Sequence, residues 1–531
     1  MNRLTALLLI FVMMLTGCGG QSTTNTEGET TEATTDTETT TAQQTAEAPT
    51  TGGTLKISMR KPQTLNPLLN EDVTVDSVLR LMFEPLFVVD EEQNIVANLA
   101  DGYLLADDGR SVAISLRSDA QWSDGTQVTA DDLIFSLDTI AEAPAGSIYK
   151  RAMANVSDYY QTSSTTVVIE YSAPFGGCMY NLCFPLIPEH YYSGYNTVDS
   201  ERSMQPLGNG MYTFVDYRIV RYMNMTASSN CFRGTPYIEN INVTVIDDKE
   251  TEISAFEQGL IDVISMSPEE YGTFNSQNEI ETTPYSSNKF EFLGFNFKNS
   301  ALSNKNIRQA IAYAVPMDNI IDNIYLGNAV KSLTPVNPNS VLNSDTGIDE
   351  YNHDLNMARQ LVAQTGLTAQ QLTFTILVNE DNSERCEIAE LIASELNQIG
   401  MNVTVYETTF ANYVNMLQND SFTMFIGGME FNTGVDLRTM LLSSSQSNGS
   451  NYFNFSDLQM DNLLNACASA SNDEAYKSAV AQVQKYCAAQ LPFVGICFKS
   501  QLLLTDGRVK GTKGPVINDI YRNIGNWYIA N

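Results

Sequence analysis

The residues of this 531-residue chain that can do chemistry are few in kind. There are two histidines, His190 and His353, too few for a histidine-rich metal site or a well-supplied catalytic relay. No Gly-x-Ser-x-Gly elbow, His-Glu-x-x-His pair or Walker loop occurs. Gly208-Asn209-Gly210 lacks the third glycine and the strand-loop-helix setting of a dinucleotide fingerprint. Carboxylates are plentiful and pairs of them can serve glycoside hydrolysis, but any acidic surface supplies such pairs. Besides Cys18 there are seven cysteines, Cys178, Cys183, Cys231, Cys386, Cys467, Cys487 and Cys497, and an odd number leaves at least one thiol unpaired. Cys178 and Cys183 are the nearest pair, and both the bridged and the reduced state are open to them. Cys467 and Cys487 lie in helix-like segments, where a small buried thiol is the ordinary outcome. No cofactor or metal site is expected.

The formal net charge is −33, and leaving out Arg3 with the six acids Glu27, Glu29, Glu32, Asp36, Glu38 and Glu47 takes it to −28 for the rest. Such a surface argues against nucleic acid or anionic lipid as a direct partner. It says little about a ligand held in a buried cavity.

The N-terminus has its own signature. Asn2 and Arg3 precede an apolar run over residues 4–15, too short for a confident spanning helix and typical of a secretory leader. Leu15-Thr16-Gly17-Cys18 resembles the lipobox of bacterial lipoproteins. The resemblance implies that the Cys18 thiol carries diacylglycerol and becomes the mature N-terminus. The protein is then expected outside the cytoplasm, lipid-anchored to the outer face of the cytoplasmic membrane or periplasmic. Residues 19–53 have no aromatic, Ile, Leu, Val or basic residue, so nothing there offsets the entropy of ordering. About 35 such residues form a spacer with a reach of about 30 Å.

Residues 54–531 exceed what one core normally serves, so at least two lobes are expected. Alternation predicts strands at Leu55-Lys56-Ile57-Ser58-Met59, 87–90, 95–97 and 111–116, with turns at 91–94 and 107–109. Helical spacing predicts a helix over 75–83, stopping near Glu84-Pro85. Thr129 is placed to cap a helix with Asp131 and Asp132 in its first turn and Leu133, Phe135 and Leu137 for burial. Strands and helices mix without strict alternation, which gives a mixed α/β (α+β) assembly of several lobes.

The segment running from Trp122-Ser123-Asp124-Gly125-Thr126 to Leu137 also resembles the signature of family 5 extracellular solute-binding proteins, the peptide and nickel class of ABC-transporter receptors. The likeness continues in order. Leu81-Met82-Phe83-Glu84-Pro85-Leu86-Phe87 precedes it. Phe184-Pro185-Leu186-Ile187-Pro188-Glu189-His190, Pro206-Leu207-Gly208-Asn209-Gly210-Met211-Tyr212 and Phe232-Arg233-Gly234-Thr235-Pro236-Tyr237 follow. Gly294-Phe295-Asn296-Phe297, Ile307-Arg308-Gln309-Ala310 and a helix ending Asn397-Gln398-Ile399-Gly400 complete the series. The resemblance implies a periplasmic-binding-protein-like fold with two large lobes joined by a hinge, plus a smaller inserted domain. Carried onto this chain, lobe I comprises 54–83, 182–285 and 499–531, the inserted domain 84–181, and lobe III 286–498, after the leader (1–18) and spacer (19–53). Ligand lies between lobes I and III, which close around it.

The resemblance also implies site residues. Peptide binders of the family place an aspartate against the ligand ammonium shortly after a Gly-Trp pair. Here the matching stretch is Gly427-Gly428-Met429-Glu430-Phe431-Asn432, so Met429 takes the tryptophan position and Asn432 the aspartate position. An amide accepts from an ammonium without the charge-assisted part of the bond. Either Glu430 or Asp436 supplies the charge from a shifted position, or the ligand is not an ordinary free-amino peptide. Phe410 and Tyr285 match aromatics flanking the pocket and the lobe crossover. Glu71 and Asp72 lie in the lobe I loop that approaches ligand, and Arg385 is placed to meet a ligand carboxylate. For Phe410 and Tyr285 the alternative is core packing, for Glu71 and Asp72 a solvated acidic loop, and for Arg385 a surface arginine. The expected partners are a peptide or other small solute and an ABC-transporter permease, with the chain a monomer and no nucleic acid bound. A receptor for a metal chelate and an exported hydrolase are the competing readings.

Overall fold

The computed structural model describes residues 48–274 and 279–530; the expected leader, Cys18 and residues 19–47 of the spacer lie outside the described residues. The end of the expected spacer differs from expectation. Thr50 Oγ1 donates to Ile529 O at 2.6 Å and Gly52 N to Tyr237 O at 2.8 Å, so the chain is tied down before residue 54. These bonds use backbone and hydroxyl groups, which composition does not register.

Period-two burial builds the first sheet. In Thr54–Met59, Leu55, Ile57 and Met59 turn into the core. This strand pairs in parallel with Asn240–Val245, and antiparallel Tyr222–Ala227 and Tyr212–Arg218 complete the four. A second four-stranded sheet is antiparallel throughout, in the order Ala100–Leu105, Ser111–Leu116, Thr166–Tyr171, Val156–Ser163. The strand Ala100–Leu105 was not among those expected; it is held by antiparallel pairing to Ser111–Leu116. The two sheets share one buried core that includes Ile57, Val112, Trp122 and Trp527.

The third sheet is mixed, with central order Val263–Met266, Phe493–Asp506, Ile280–Phe295, Met424–Glu430, Thr373–Asn379, Asn402–Thr408. Both its faces are covered. In Ile280–Phe295, Phe290 and Phe292 enter an aromatic cluster with Phe425, Phe453 and Phe493, while Leu293 and Phe295 meet an aliphatic cluster containing Ile307, Ile311 and Ile392. The expected lobe boundaries at 285/286 and 498/499 fall inside two continuous strands, Ile280–Phe295 and Phe493–Asp506. Their pairing breaks register between Ser286 and Phe290.

The first helix is Val73–Leu79, shorter than the expected 75–83. Its continuation is stopped by the neighbouring strand: Leu81 O accepts from Tyr212 N at 2.9 Å and Met82 O from Gly210 N at 2.8 Å. The capped helix is Ala130–Glu142, with the Asp132 carboxylate accepting from Thr129 N at 2.9 Å. Leu133 and Leu137 are buried as expected, while Phe135 is only half-buried. All seven described cysteines are free thiols, so Cys178 and Cys183 are not bridged.

Candidate functional site

Two adjoining cavities, of about 380 Å³ and about 650 Å³, open where residues 88–93 and 148–183, the C-terminal segment, and the third sheet with its following loop meet. They share Val89, Val516 and Ile517. The smaller is bounded on one side by the loop after Met424–Glu430, from Asn432 to Arg438, and on the other by Val516–Asp519 and the stretch around Phe175–Asn181. The larger runs along Thr283–Ser286 and Lys513–Ile517.

The 432–438 loop is fixed from both sides. The Tyr476 hydroxyl donates to the Gly434 carbonyl, and a Cβ on Gly434 would stand 3.0 Å from Tyr180 Cβ. Val435 has φ +39°, a backbone state that a β-branched residue keeps only under tertiary constraint. Asp436 is clamped by Arg438, with Nε at 2.9 Å and Nη2 at 2.8 Å, and Arg151 approaches to 3.7 Å. Burial pushes the Asp436 carboxyl up, but the hydrogen bonds from Arg438 outweigh it and hold the group below the usual carboxylate range.

On the opposite wall, Arg80 donates to Asp76 at 2.9 Å and to the Tyr149 hydroxyl at 3.0 Å, and that hydroxyl donates to Asp76 at 2.7 Å. Burial opposes the Arg80 charge, yet Tyr149 and Asp76 keep it protonated. The thiols of Cys183 and Cys467 also line this cavity, and burial pushes both up to about 12, so neither is a thiolate nucleophile at neutral pH. Asn155, Asn181, Asn432 and Asn518 complete the wall, and none of these four amides has a side-chain hydrogen bond among the described residues. Asp519 adds a carboxylate pushed up by burial, with Arg80 and Arg233 acting against that rise.

The residues singled out in the sequence do not all converge here. Asn432 lines the smaller cavity and Tyr285 the larger. The Tyr285 hydroxyl lies 2.8 Å from Ser265 Oγ, and burial raises its pKa. Gly428, Met429 and Glu430 stay in the strand Met424–Glu430, and Glu430 is paired in register with Lys289. Arg385 faces an internal partner: Nε and Nη2 each donate to a Glu291 carboxylate oxygen at 2.8 Å. Gly428 is what lets that pair lie over the strand, because a Cβ there would fall 2.1 Å from Arg385 Nη2 and 2.5 Å from Glu291 Oε1. Phe410 is exposed at the start of the helix Phe410–Gln418, stacked at 6.3 Å on Tyr413. Asp72 caps Val73–Leu79 through Thr74 N and Val75 N, and Glu71 packs against Gly146. Neither lines a cavity. Sequence reasoning missed Arg151, Tyr180 and Arg438, which lie in helices of four or five residues, too short to show a periodicity, and Asp519, which lies in a turn region.

His190 and His353 are equally local, with Nε2 of His190 2.8 Å from Asp124 and Nε2 of His353 3.0 Å from Glu395. Among the described residues no group of three His, Cys, Asp or Glu side chains is placed to hold a metal ion, and no helix is long and apolar enough to cross a membrane.

The arrangement is a polar cavity lined by loops and helix faces, with fixed charges on its walls. The chain is similar to known proteins in sequence and in fold. It is 22% identical to the "Oligopeptide-binding protein AppA" of Bacillus subtilis over 561 aligned positions, covering 100% of this chain and 99% of the relative. It superimposes on the ABC transporter substrate-binding protein CtaP of Listeria monocytogenes with a TM-score of 0.77 at 22% identity, over 91% of this chain and 100% of that one. The Bacillus subtilis AppA structure in complex with a nonapeptide matches with a TM-score of 0.63 at 21% identity, over 91% and 100% of the two chains. These neighbours share the periplasmic-binding-protein fold. The family described as "Bacterial extracellular solute-binding proteins, family 5 Middle" matches residues 94–451. With two thirds of its length inside that match, and the fold and cleft to go with it, the chain belongs to the family 5 bacterial extracellular solute-binding proteins.

Proposed function

We propose that this protein is a lipid-anchored receptor outside the cytoplasm that captures peptides in its cleft and delivers them to an ABC-transporter permease. In this reading lobe I is 54–83, 182–285 and 499–531, the inserted domain is 84–181, and lobe III is 286–498. The two long strands Ile280–Phe295 and Phe493–Asp506 serve as the hinge. One observation carries the reading: the smaller cavity offers unpaired side-chain amides from several parts of the chain. Such groups suit an extended peptide, whose backbone presents a donor and an acceptor at each residue. Ligand touches both walls only when they approach, so binding shifts the population toward the closed form. A permease then reads occupancy as shape. Cys18 carries the anchor, the spacer gives the receptor reach, and one copy suffices for capture. No catalytic role is assigned to any residue.

The test is a di- to pentapeptide library screened by thermal shift and small-angle scattering. Peptide is expected to raise the melting temperature and shrink the radius of gyration. If no peptide does either while another solute, such as a metal chelate, does both, the peptide reading fails. Mass spectrometry of cargo released on denaturation identifies the ligand directly.

A further inference from the structure

One turn of the first sheet runs against the chemistry of the rest of the surface. The strands Tyr212–Arg218 and Tyr222–Ala227 are joined by a tight turn in which Arg221 N donates to Arg218 O at 2.9 Å. Its two outermost residues are apolar and stand in solvent, Ile219 at 74% and Val220 at 51% exposure. Val220 has φ +58°, a state in which glycine or asparagine costs less than a β-branched residue, so folding alone does not select it. Behind this tip come Arg218 and Arg221, both exposed, and behind them the half-buried Tyr217 and Tyr222. Two arginines within four residues stand out in a chain with 29 basic against 62 acidic residues. Asp216, behind Tyr217 on the strand, reaches Arg218 only at 3.7 Å. Asp247 and Asp248, which follow the neighbouring strand Asn240–Val245, are engaged by Lys61 N and by the helix Lys249–Glu257 that Asp248 caps. Arg221 has no ion pair within 4 Å among the described residues. A bulge at Val215 interrupts the outer edge of the hairpin, which makes it a poor template for an added strand.

We infer that this turn is a second, reversible membrane contact, in which Ile219 and Val220 enter the boundary between headgroups and acyl chains of a phospholipid bilayer and Arg218 and Arg221 meet its phosphates. Tyr217 and Tyr222 then sit at the interface. The inference rests on the lipid-anchored reading proposed above. Apolar, basic and aromatic residues in that order along one axis match the depth profile of a bilayer surface, whereas a protein interface sets no such order. Two apolar side chains are too few to hold a protein on a membrane unaided, and the acidic surface elsewhere opposes approach. The contact therefore depends on the tether, which raises the local concentration of the tip at the bilayer. From Thr226, level with the chain's entry at Thr54, to Val220 the strand rise is about 20 Å, within the reach of about 30 Å expected of the spacer. Anchor and tip together give the tethered receptor a preferred orientation on the membrane.

The test uses the full lipid-anchored chain on vesicles of phosphatidylglycerol and phosphatidylcholine whose acyl chains carry bromine. Trp122 and Trp527 are buried, so Ile219→Trp places a distinct reporter at the tip. Leu104→Trp is the control, at a site of the second sheet that is equally exposed at 74%. Vesicles should shift the Ile219→Trp emission to the blue and quench it, and leave Leu104→Trp unquenched. In the Ile219→Trp background, Arg218→Gln and Arg221→Gln should each lower the ratio of inserted to free tips about fivefold. Val220→Gly should lower the ratio too without lowering the melting temperature, because glycine suits the positive φ. Quenching of both reporters, of neither, or to an extent indifferent to both arginines overturns the inference. So does a tip that vesicles leave unquenched and added permease protects, which assigns the turn to protein docking. In each of these cases peptide capture by the same protein, read by thermal shift, leaves the receptor reading standing. If wild type does not associate with vesicles at all, the anchor reading falls and the tip contact with it.

Discussion

Asp436 shows how a single carboxylate can be present in the cleft yet spoken for. Its pKa lies below the unfolded value because Arg438 outweighs the burial that pushes it up. A depressed carboxylate contributes stability that is present above the unfolded pKa and is lost as pH falls through the folded one. Arg438→Ala is therefore expected to cost about 1 kcal/mol near pH 7, a modest figure because the arginine is partly exposed. The difference from wild type should shrink in denaturant titrations as pH is lowered below the unfolded aspartate value of about 3.9 and through the lower folded one. The Glu291–Arg385 pair is the buried counterpart, with side chains 6% and 17% exposed. Glu291→Gln leaves a guanidinium sealed without its anion, and a loss of about 3 to 5 kcal/mol is expected in equilibrium unfolding.

Elements here are joined by polar pins at the positions where the family-like motifs stand. Asp132 accepts from Trp122 Nε1 at 3.2 Å and from Glu189 N at 2.9 Å, tying the Trp122 segment to the Pro-Glu-His turn. Asn209 Oδ1 accepts from Glu84 N at 2.9 Å. Gly208 lies so close to the neighbouring chain that a Cβ would fall 1.9 Å from Met82 O. The Gly-Asn-Gly turn is thus a close backbone contact and not a phosphate cradle. Arg308 fastens the helix Lys305–Ala314 to the end of Asp473–Gln490, donating to the carbonyls of Leu302, Ser303, Gln490 and Leu491 at 2.7–3.1 Å. Burial lowers its pKa to about 10, still protonated at neutral pH. Arg308→Met strands several buried carbonyls, and a loss of about 3 kcal/mol is expected. Arg308→Lys should recover little, since a point charge cannot reproduce the guanidinium fork. Chemical denaturation of both variants checks this.

At the scale of the whole molecule, the stretch around Gly176 meets the end of the helix Leu458–Ala468 through that glycine. Gly176 N donates to Ala468 O at 3.0 Å, and a Cβ on Gly176 would fall 2.0 Å from Cys467 O. Gly176→Ala is expected to push the two parts apart, enlarging the radius of gyration measured by scattering. It should weaken ligand binding about tenfold, the equivalent of about 1.4 kcal/mol, within the usual overpacking cost. Much of the architecture was legible beforehand, because strands such as Thr54–Met59 and the capped Ala130–Glu142 follow from local periodicity and capping. The helix that stopped early and the strand Ala100–Leu105 were not, since a pairing partner distant in the chain decides each. The sequence by itself determined the mixed α/β class, the shortage of imidazoles for metal or relay chemistry, and the ordered motifs that place the chain in its family. Only the tertiary structure decided which charges face the cleft and which groups compensate them. Arg385 is neutralised by Glu291 and Asp436 by Arg438 and Arg151, while Asp519 has no ion pair within 4 Å among the described residues and is compensated at longer range by Arg80, Arg233 and Arg522. The physical reason is that electrostatic compensation depends on distances across the fold, and those between residues such as Arg151 and Asp436 are set by packing and not by spacing along the chain.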